Sequence, residues 1–193
     1  MSVNGNNSQD TGNLKGKEIV LGVCGSIAAY KAPELIRMLR SCGARVTCIL
    51  TANGARFITA LTLSTVSGNR VCEGMFDPSV WDTEHISLAR KADIVVLAPA
   101  SADAIARLAA GRADDLLSSV VLATESPVLV CPAMNDRMWK HPATRSNVKR
   151  LEEYGYKFVQ PEEGALACGE TGTGRLAGLE KIQQSIEKII RAG

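Results

Sequence analysis

Glu18-Ile19-Val20-Leu21-Gly22-Val23-Cys24-Gly25-Ser26-Ile27-Ala28-Ala29 is the stretch on which the fold turns. Glu18–Val23 is rich in Val, Ile and Leu and too short for a helix, so it reads as a strand. Glycines and a serine follow, and then a helical pattern in which Ala28, Ala32, Leu35, Ile36 and Leu39 share one face, with Gly43 as C-cap. Pro33 either starts the regular part of that helix or kinks it. The alternation continues outward, with strands predicted at Glu18–Val23, Arg45–Leu50, 93–98, 128–131 and 157–159. Helices are predicted at 86–91, 102–110, Leu116–Ala123 and 145–154, and a last one carries Leu179, Ile182, Ile186, Ile189 and Ile190 on one stripe. This order predicts an α/β fold: a three-layer, Rossmann-like (flavodoxin-like) arrangement with a mainly parallel sheet covered by helices on both faces.

The 193 residues fill one domain, at ~150 residues per domain. Residues 1–16, rich in Asn, Gly and Ser, are expected to form a disordered leader to a domain at 17–193. With 22 Lys+Arg against 20 Asp+Glu, the charge is too balanced for gripping a polyanion, so no nucleic-acid partner is expected. The longest apolar runs, 94–102 and 116–124, fall short of the ~20 residues of a membrane span, and the N-terminus has no apolar signal core. Six scattered cysteines without a C-x-x-C pair and two histidines argue for no metal, reduced thiols and a cytoplasmic location.

In such a sheet ligands bind beyond the carboxyl ends of the strands. There Gly22, Gly25 and Ser26 let the backbone approach a ligand and offer amides to an anion; they read equally as a tight turn with Ser26 as N-cap. The pattern is neither G-x-G-x-x-G nor a P-loop. The loops Thr51-Ala52-Asn53-Gly54-Ala55, Pro99-Ala100-Ser101-Ala102-Asp103 and Pro132-Ala133-Met134-Asn135 are small and polar. Singly each ends a strand; jointly they suit a flat, phosphorylated cofactor. His85 is the better general-base candidate of the two histidines, against a plain capping or surface role, and His141 beside Pro142 reads as a helix-entry residue. Cys168 lies in the glycine-dense Ala167-Cys168-Gly169-Glu170-Thr171-Gly172-Thr173-Gly174-Arg175, expected to be a loop able to close over a site, and Cys24 could line the cofactor loop.

Gly25-Ser26-Ile27-Ala28-Ala29-Tyr30-Lys31, Pro99-Ala100-Ser101-Ala102-Asp103, Pro132-Ala133-Met134-Asn135-Asp136-Arg137-Met138-Trp139 and Ala167-Cys168-Gly169 stand in this order. Together they resemble the flavin-containing cysteine decarboxylases, from about Lys17 to the C-terminus, and the resemblance is closest to members acting on 4′-phosphopantothenoylcysteine in coenzyme A biosynthesis. It implies FMN as cofactor. The thiol carbon would be oxidised to a thioaldehyde, giving the electrons left by CO2 a sink, and re-reduction would yield 4′-phosphopantetheine. It further implies that His85 acts as base or holds the thiolate, and that Asn135 hydrogen-bonds the carboxylate. Met138 and Ala133 would contact substrate, and Cys168 would protonate the enethiolate. FMN would be held by Gly22, Gly25, Ser26, Ile27, Thr51, Pro99, Ala100, Ser101 and Ser118. Family members form trimers or dodecamers built of trimers, with flavin at the interface, and bacterial ones are usually fused to a phosphopantothenate–cysteine ligase. The competing readings are a decarboxylase of a lantibiotic precursor's C-terminal cysteine, a non-enzymatic flavoprotein that regulates a phosphatase, and, fitting poorly, a flavin prenyltransferase.

Overall fold

The structure, a computed structural model, describes residues 13–75, 84–165, 169 and 171–192. The six strands β1 (Glu18–Val23), β2 (Arg45–Leu50), β3 (Val71–Cys72), β4 (Ile94–Ala100), β5 (Val128–Pro132) and β6 (Lys157–Phe158) form one parallel sheet in the order β3-β2-β1-β4-β5-β6. A separate antiparallel hairpin joins β7 (Glu162–Ala165) to β8 (Thr171–Arg175). The helices are α1 (Ala32–Ser41), α2 (Ala60–Ser67), α3 (Glu84–Lys91), α4 (Ala102–Ala109), α5 (Leu116–Ala123), α6 (Asp136–Lys140), α7 (Pro142–Glu153) and α8 (Leu179–Ala192).

Alternate residues of a strand point to opposite faces, and here both faces are apolar. Ile19, Leu21, Val23, Val46, Cys48, Ile94 and Val96 pack with Leu35, Ile36 and Leu39 of α1, Leu63 of α2 and Ile182 and Ile186 of α8. Val20, Ile49, Val95, Leu97, Val128 and Val130 pack with Leu88 of α3, Ile105 of α4, Leu117 and Val120 of α5 and Val148 of α7. Two cores on one sheet make the three layers that the alternating sequence predicts.

The Rossmann-like expectation holds, and the strand order refines it: the sheet runs outward in both directions from β1 and β4, rather than in the flavodoxin order, in which the third strand follows the first. Pro33 starts the regular helix, and the residues before it, Ile27–Lys31, form a 3-10 turn. The strand predicted at 93–98 runs on through Pro99 to Ala100; its register shifts between Leu97 and Ala100, a bulge that relieves the ladder of the N–H that proline lacks. The folded domain begins before Lys17. Leu14 is fully buried among Leu39, Ile182 and their neighbours, and its N–H donates to Cys42 O at 3.0 Å. Its burial contributes on the order of 2 kcal/mol.

A carboxylate joins β1 to β4 at the end of the sheet remote from the ligand edge. Asp93 accepts from Glu18 N–H at 2.8 Å and Lys17 Nζ at 3.0 Å. Burial pushes its carboxyl up, but the Glu18 amide and the Lys17 ammonium outweigh that and hold it below the usual carboxylate range. A depressed folded-state value stabilises the fold above the unfolded pKa of ~3.9 and loses that stabilisation as the pH falls through the folded value. Asp93→Asn is therefore expected to lower the urea midpoint at pH 7 and to flatten its decline below about pH 4; a decline as steep as in the unmodified protein would show that Asp93 carries none of it.

Candidate active site

The neighbours β1 and β4 lead away to opposite halves of the sheet, so the loops after them part and leave a crevice. Gly25 and Ser101 lie in those two loops. A Cβ on Gly25 would lie 2.6 Å from Asn53 Cβ, so glycine there lets the β1 and β2 loops touch. The Thr51 hydroxyl fixes the second loop by accepting from Gly54 N–H at 3.1 Å. Ser26 caps the 3-10 turn, its Oγ accepting from Ala28 N–H at 3.4 Å, and Ser101 caps α4, accepting from Ala104 N–H at 3.2 Å.

Two cavities flank this point, and Gly25 and Ser101 line both. The smaller, about 180 Å³, is lined by Cys24, Thr51, Asn53, Asp115 and Ser118 among others. Burial pushes the Cys24 thiol up to about 12, so it stays a neutral wall group. The Ser118 hydroxyl is engaged in a capping box, 2.6 Å from Asp115 Oδ1. Arg107 binds Asp103 at 3.2 Å, Asp114 at 2.6 Å and Asp115 at 3.1 Å, tying the start of α4 to the start of α5.

The larger cavity, about 550 Å³, falls within the range of small-ligand pockets. It brings Ser26, Ile27, Ala133, Asn135 and Met138 together with Lys31 and Arg175. Asn135 caps α6, its Oδ1 accepting from Arg137 N–H at 2.9 Å, while Trp139 on the same helix is buried and lies under Arg145 at 4.8 Å. Of the glycine-dense segment 167–175 expected as a loop, Thr171–Arg175 is strand β8 of the hairpin, docked on the stretch around Asn135: Met134 N–H donates to Gly174 O at 2.9 Å and Thr173 N–H to Asp136 Oδ1 at 2.8 Å. Gly172 and Gly174 permit that approach, since an added Cβ would lie 2.7 Å from Asp136 Cβ and 2.1 Å from Met134 O.

Three expected cofactor residues line neither cavity. Gly22 is buried inside β1, where an added Cβ would strike Leu117 Cδ1 at 2.6 Å; it makes room for a core leucine. Pro99 and Ala100 are buried in β4, and their carbonyls accept from Cys24 N–H at 3.2 Å and Ala133 N–H at 3.0 Å, fixing the loops that do line the site. His85 is half-buried in the first turn of α3 and also lines neither cavity of its own chain. Its neighbour Glu84 is buried and pairs with Arg70 at 3.3 Å, anchoring that turn. Cys168 lies outside the described residues. His141 caps α7, its Nδ1 accepting from Ala143 N–H at 3.2 Å. Lys31 and Arg175 were not expected as lining residues; only their place in the quoted motifs hinted at them. No group of three or more metal-ligating side chains occurs among the described residues.

The fold and the site define a class, an α/β protein of Rossmann-like topology with a ligand-sized cavity at its switch point. Within that class, the model of the Flavoprotein family matches residues 7–191, and the chain belongs to that family. The chain is 49% identical over 165 residues to the coenzyme A biosynthesis bifunctional protein CoaBC of Escherichia coli K12, covering 85% of this chain and 41% of that protein. It thus spans about two fifths of the length of the bifunctional relatives it matches. It is 45% identical to a probable phosphopantothenoylcysteine decarboxylase of Streptococcus mutans, covering 89% of this chain and 98% of that one. Among solved structures, the FMN-dependent cysteine decarboxylase SpaF superposes with a TM-score of 0.83 at 31% identity, covering 93% of this chain and 98% of that one.

Proposed function

We propose that this chain is an FMN-dependent decarboxylase that converts 4′-phosphopantothenoylcysteine to 4′-phosphopantetheine and CO2. The observation that carries the reading is the larger cavity, which gathers Ser26, Ala133, Asn135 and Met138 from loops far apart in sequence. FMN suits this crevice: Gly25 lets the β1 and β2 loops close together, and Ser26, Thr51, Ser101 and Ser118 bring hydroxyls from several loops, so these residues would hold it. When bound, FMN supplies the two-electron oxidation and re-reduction without which the substrate carboxylate has no electron sink.

The chain's own residues then bind and move protons. Asn135 donates its amide to the substrate carboxylate without the ion pair that would stabilise the ground state against CO2 loss. Met138 and Ala133 pack on the substrate's apolar length. His85 takes the thiol proton, and Cys168 returns a proton to the enethiolate carbon. Since His85 lines neither of the two cavities among the described residues, a homo-oligomer, a trimer or a dodecamer built of trimers, would bring it to a neighbour's site; the exposed Ile27, Tyr30 and Leu61 are apolar surface for such contacts. A phosphopantothenate–cysteine ligase, fused or separate, would supply the substrate. No described helix is long and apolar enough to cross a membrane; the cytoplasm is the proposed location.

The test is direct. Purified protein is expected to be yellow, to bind FMN, and to turn 4′-phosphopantothenoylcysteine into a product lighter by one CO2, read by mass spectrometry. Protein that refuses FMN, or that decarboxylates only a peptide ending in cysteine, would overturn the assignment.

A further inference from the structure

The larger cavity has a charge asymmetry that no role above uses. Among the described residues that line it are two cations, Lys31 and Arg175, and no Asp or Glu, whereas those lining the smaller cavity beyond Gly25 include Glu73, Asp103, Asp115 and Arg107. A concave surface lined by one sign of charge concentrates ligands of the other. The two cations come from different elements: Lys31 closes the 3-10 turn after β1, and Arg175 ends β8.

Arg175 is held in place from the hairpin itself. Its cross-strand partner is Glu162, with Nη2 and Oε2 3.7 Å apart. Lys181 Nζ lies 3.7 Å from the other oxygen of Glu162, so that carboxylate is shared between two cations and does not neutralise Arg175 alone. On the neighbouring strand Gly164 leaves space for the guanidinium: an added Cβ would lie 3.1 Å from Arg175 Nη1. The side chain is half exposed, and a guanidinium has five N–H donors in a fixed fork, more than one distant carboxylate can occupy. Lys31 has no carboxylate partner among the described residues.

We propose that Lys31 and Arg175 form a subsite for a phosphate monoester, and that the 4′-phosphate of the substrate occupies it. The inference rests on the proposed decarboxylase reading. That substrate carries a carboxylate at one end and a phosphate at the other. Asn135 and Met138 line the same cavity as the two cations, so one concavity offers an uncharged amide for the carboxylate and a cationic pair for the phosphate. A planar guanidinium binds phosphate through paired hydrogen bonds, which an ammonium cannot reproduce. The flavin phosphate has the same chemistry and is the rival occupant; a peptide ending in cysteine offers a carboxylate but no phosphate.

The holoenzyme tests this through a ratio, kcat/KM for 4′-phosphopantothenoylcysteine over kcat/KM for pantothenoylcysteine. Arg175→Ala is expected to lower that ratio about tenfold, mainly through KM, Lys31→Ala to lower it less, and Arg175→Lys to restore it only in part. In the unmodified enzyme, KM for the phosphorylated substrate should rise with NaCl while that for pantothenoylcysteine stays level, a measurement independent of any variant's folding. A ratio unmoved by Arg175→Ala, or equal salt responses, overturns the subsite. Weaker binding of FMN with undiminished binding of riboflavin in Arg175→Ala also overturns it, by assigning the cations to the cofactor. If neither pantothenoyl compound releases CO2, the decarboxylase reading fails instead. Calorimetry then judges the subsite: tighter binding of 4′-phosphopantetheine than of pantetheine keeps it, and equal binding sinks it.

Discussion

Asn135→Asp is expected to abolish nearly all decarboxylation while leaving the fold intact. Asn135 does two things with one side chain: its Oδ1 caps α6 through Arg137 N–H, and it lines the larger cavity. Aspartate has the same shape and caps a helix as well as asparagine does, so α6 and the buried Trp139 stay in place. Toward a substrate carboxylate, however, it would put like charge in place of the proposed amide donor. Two unit charges at 4 Å repel by about 4 kcal/mol at an effective dielectric of 20, so kcat/KM should fall by roughly 10² to 10³. Steady-state CO2 release together with thermal melting checks both halves; a variant that keeps more than half its activity would remove Asn135 from the carboxylate site.

Gly174→Ala acts through backbone alone. The added Cβ would lie 2.1 Å from the Met134 carbonyl oxygen, and no side-chain rotation relieves a clash with main chain. The hairpin must move away, breaking the Met134 N–H to Gly174 O bond and the Thr173 N–H to Asp136 bond that dock it. Overpacking of this kind costs about 1–3 kcal/mol, and displacement of a binding segment by about 1 Å can lower turnover ~100-fold. Kinetics and faster amide exchange at Met134 and Thr173 report the two effects. Gly74→Ala is the matched control, because a Cβ there meets nothing within 4 Å; equal behaviour of the two variants would show that hairpin docking does not matter.

What was legible in the sequence is what local physics decides. Glu18–Val23, Arg45–Leu50 and Leu116–Ala123 match the sequence reading to the residue, since short apolar runs are local signals. The helix α2 was missed because Ala60-Leu61-Thr62-Leu63-Ser64-Thr65-Val66-Ser67 buries only Leu63 and Ser67 and so shows no stripe. The two-residue β3 has no pattern to read. The hairpin was taken for a loop because β8, Thr171–Arg175, has glycine at alternate positions where a strand would carry apolar residues; its pairing comes from docking on Met134 and Asp136, which is tertiary. The site divides the same way. Ser26, Asn135 and Met138, named from their motif, line the larger cavity, whereas Gly22, Pro99 and Ala100, named with them, line neither, since sequence cannot say which side of a loop end faces the crevice. Arg175 was invisible as a lining residue for the reason β8 was.

The hairpin shares no ladder with the six-stranded sheet. Its exposed positions can therefore vary without shifting a strand of that sheet, so long as Gly172 and Gly174 keep the close approach to Met134 and Asp136. Arg175, which would meet the far end of a substrate, sits on this add-on, while the residues suited to a flavin sit at the strand ends. Such a division would let selection alter what the far end of the cavity accepts while keeping the strand-end loops, because the two lie on parts that share no backbone ladder.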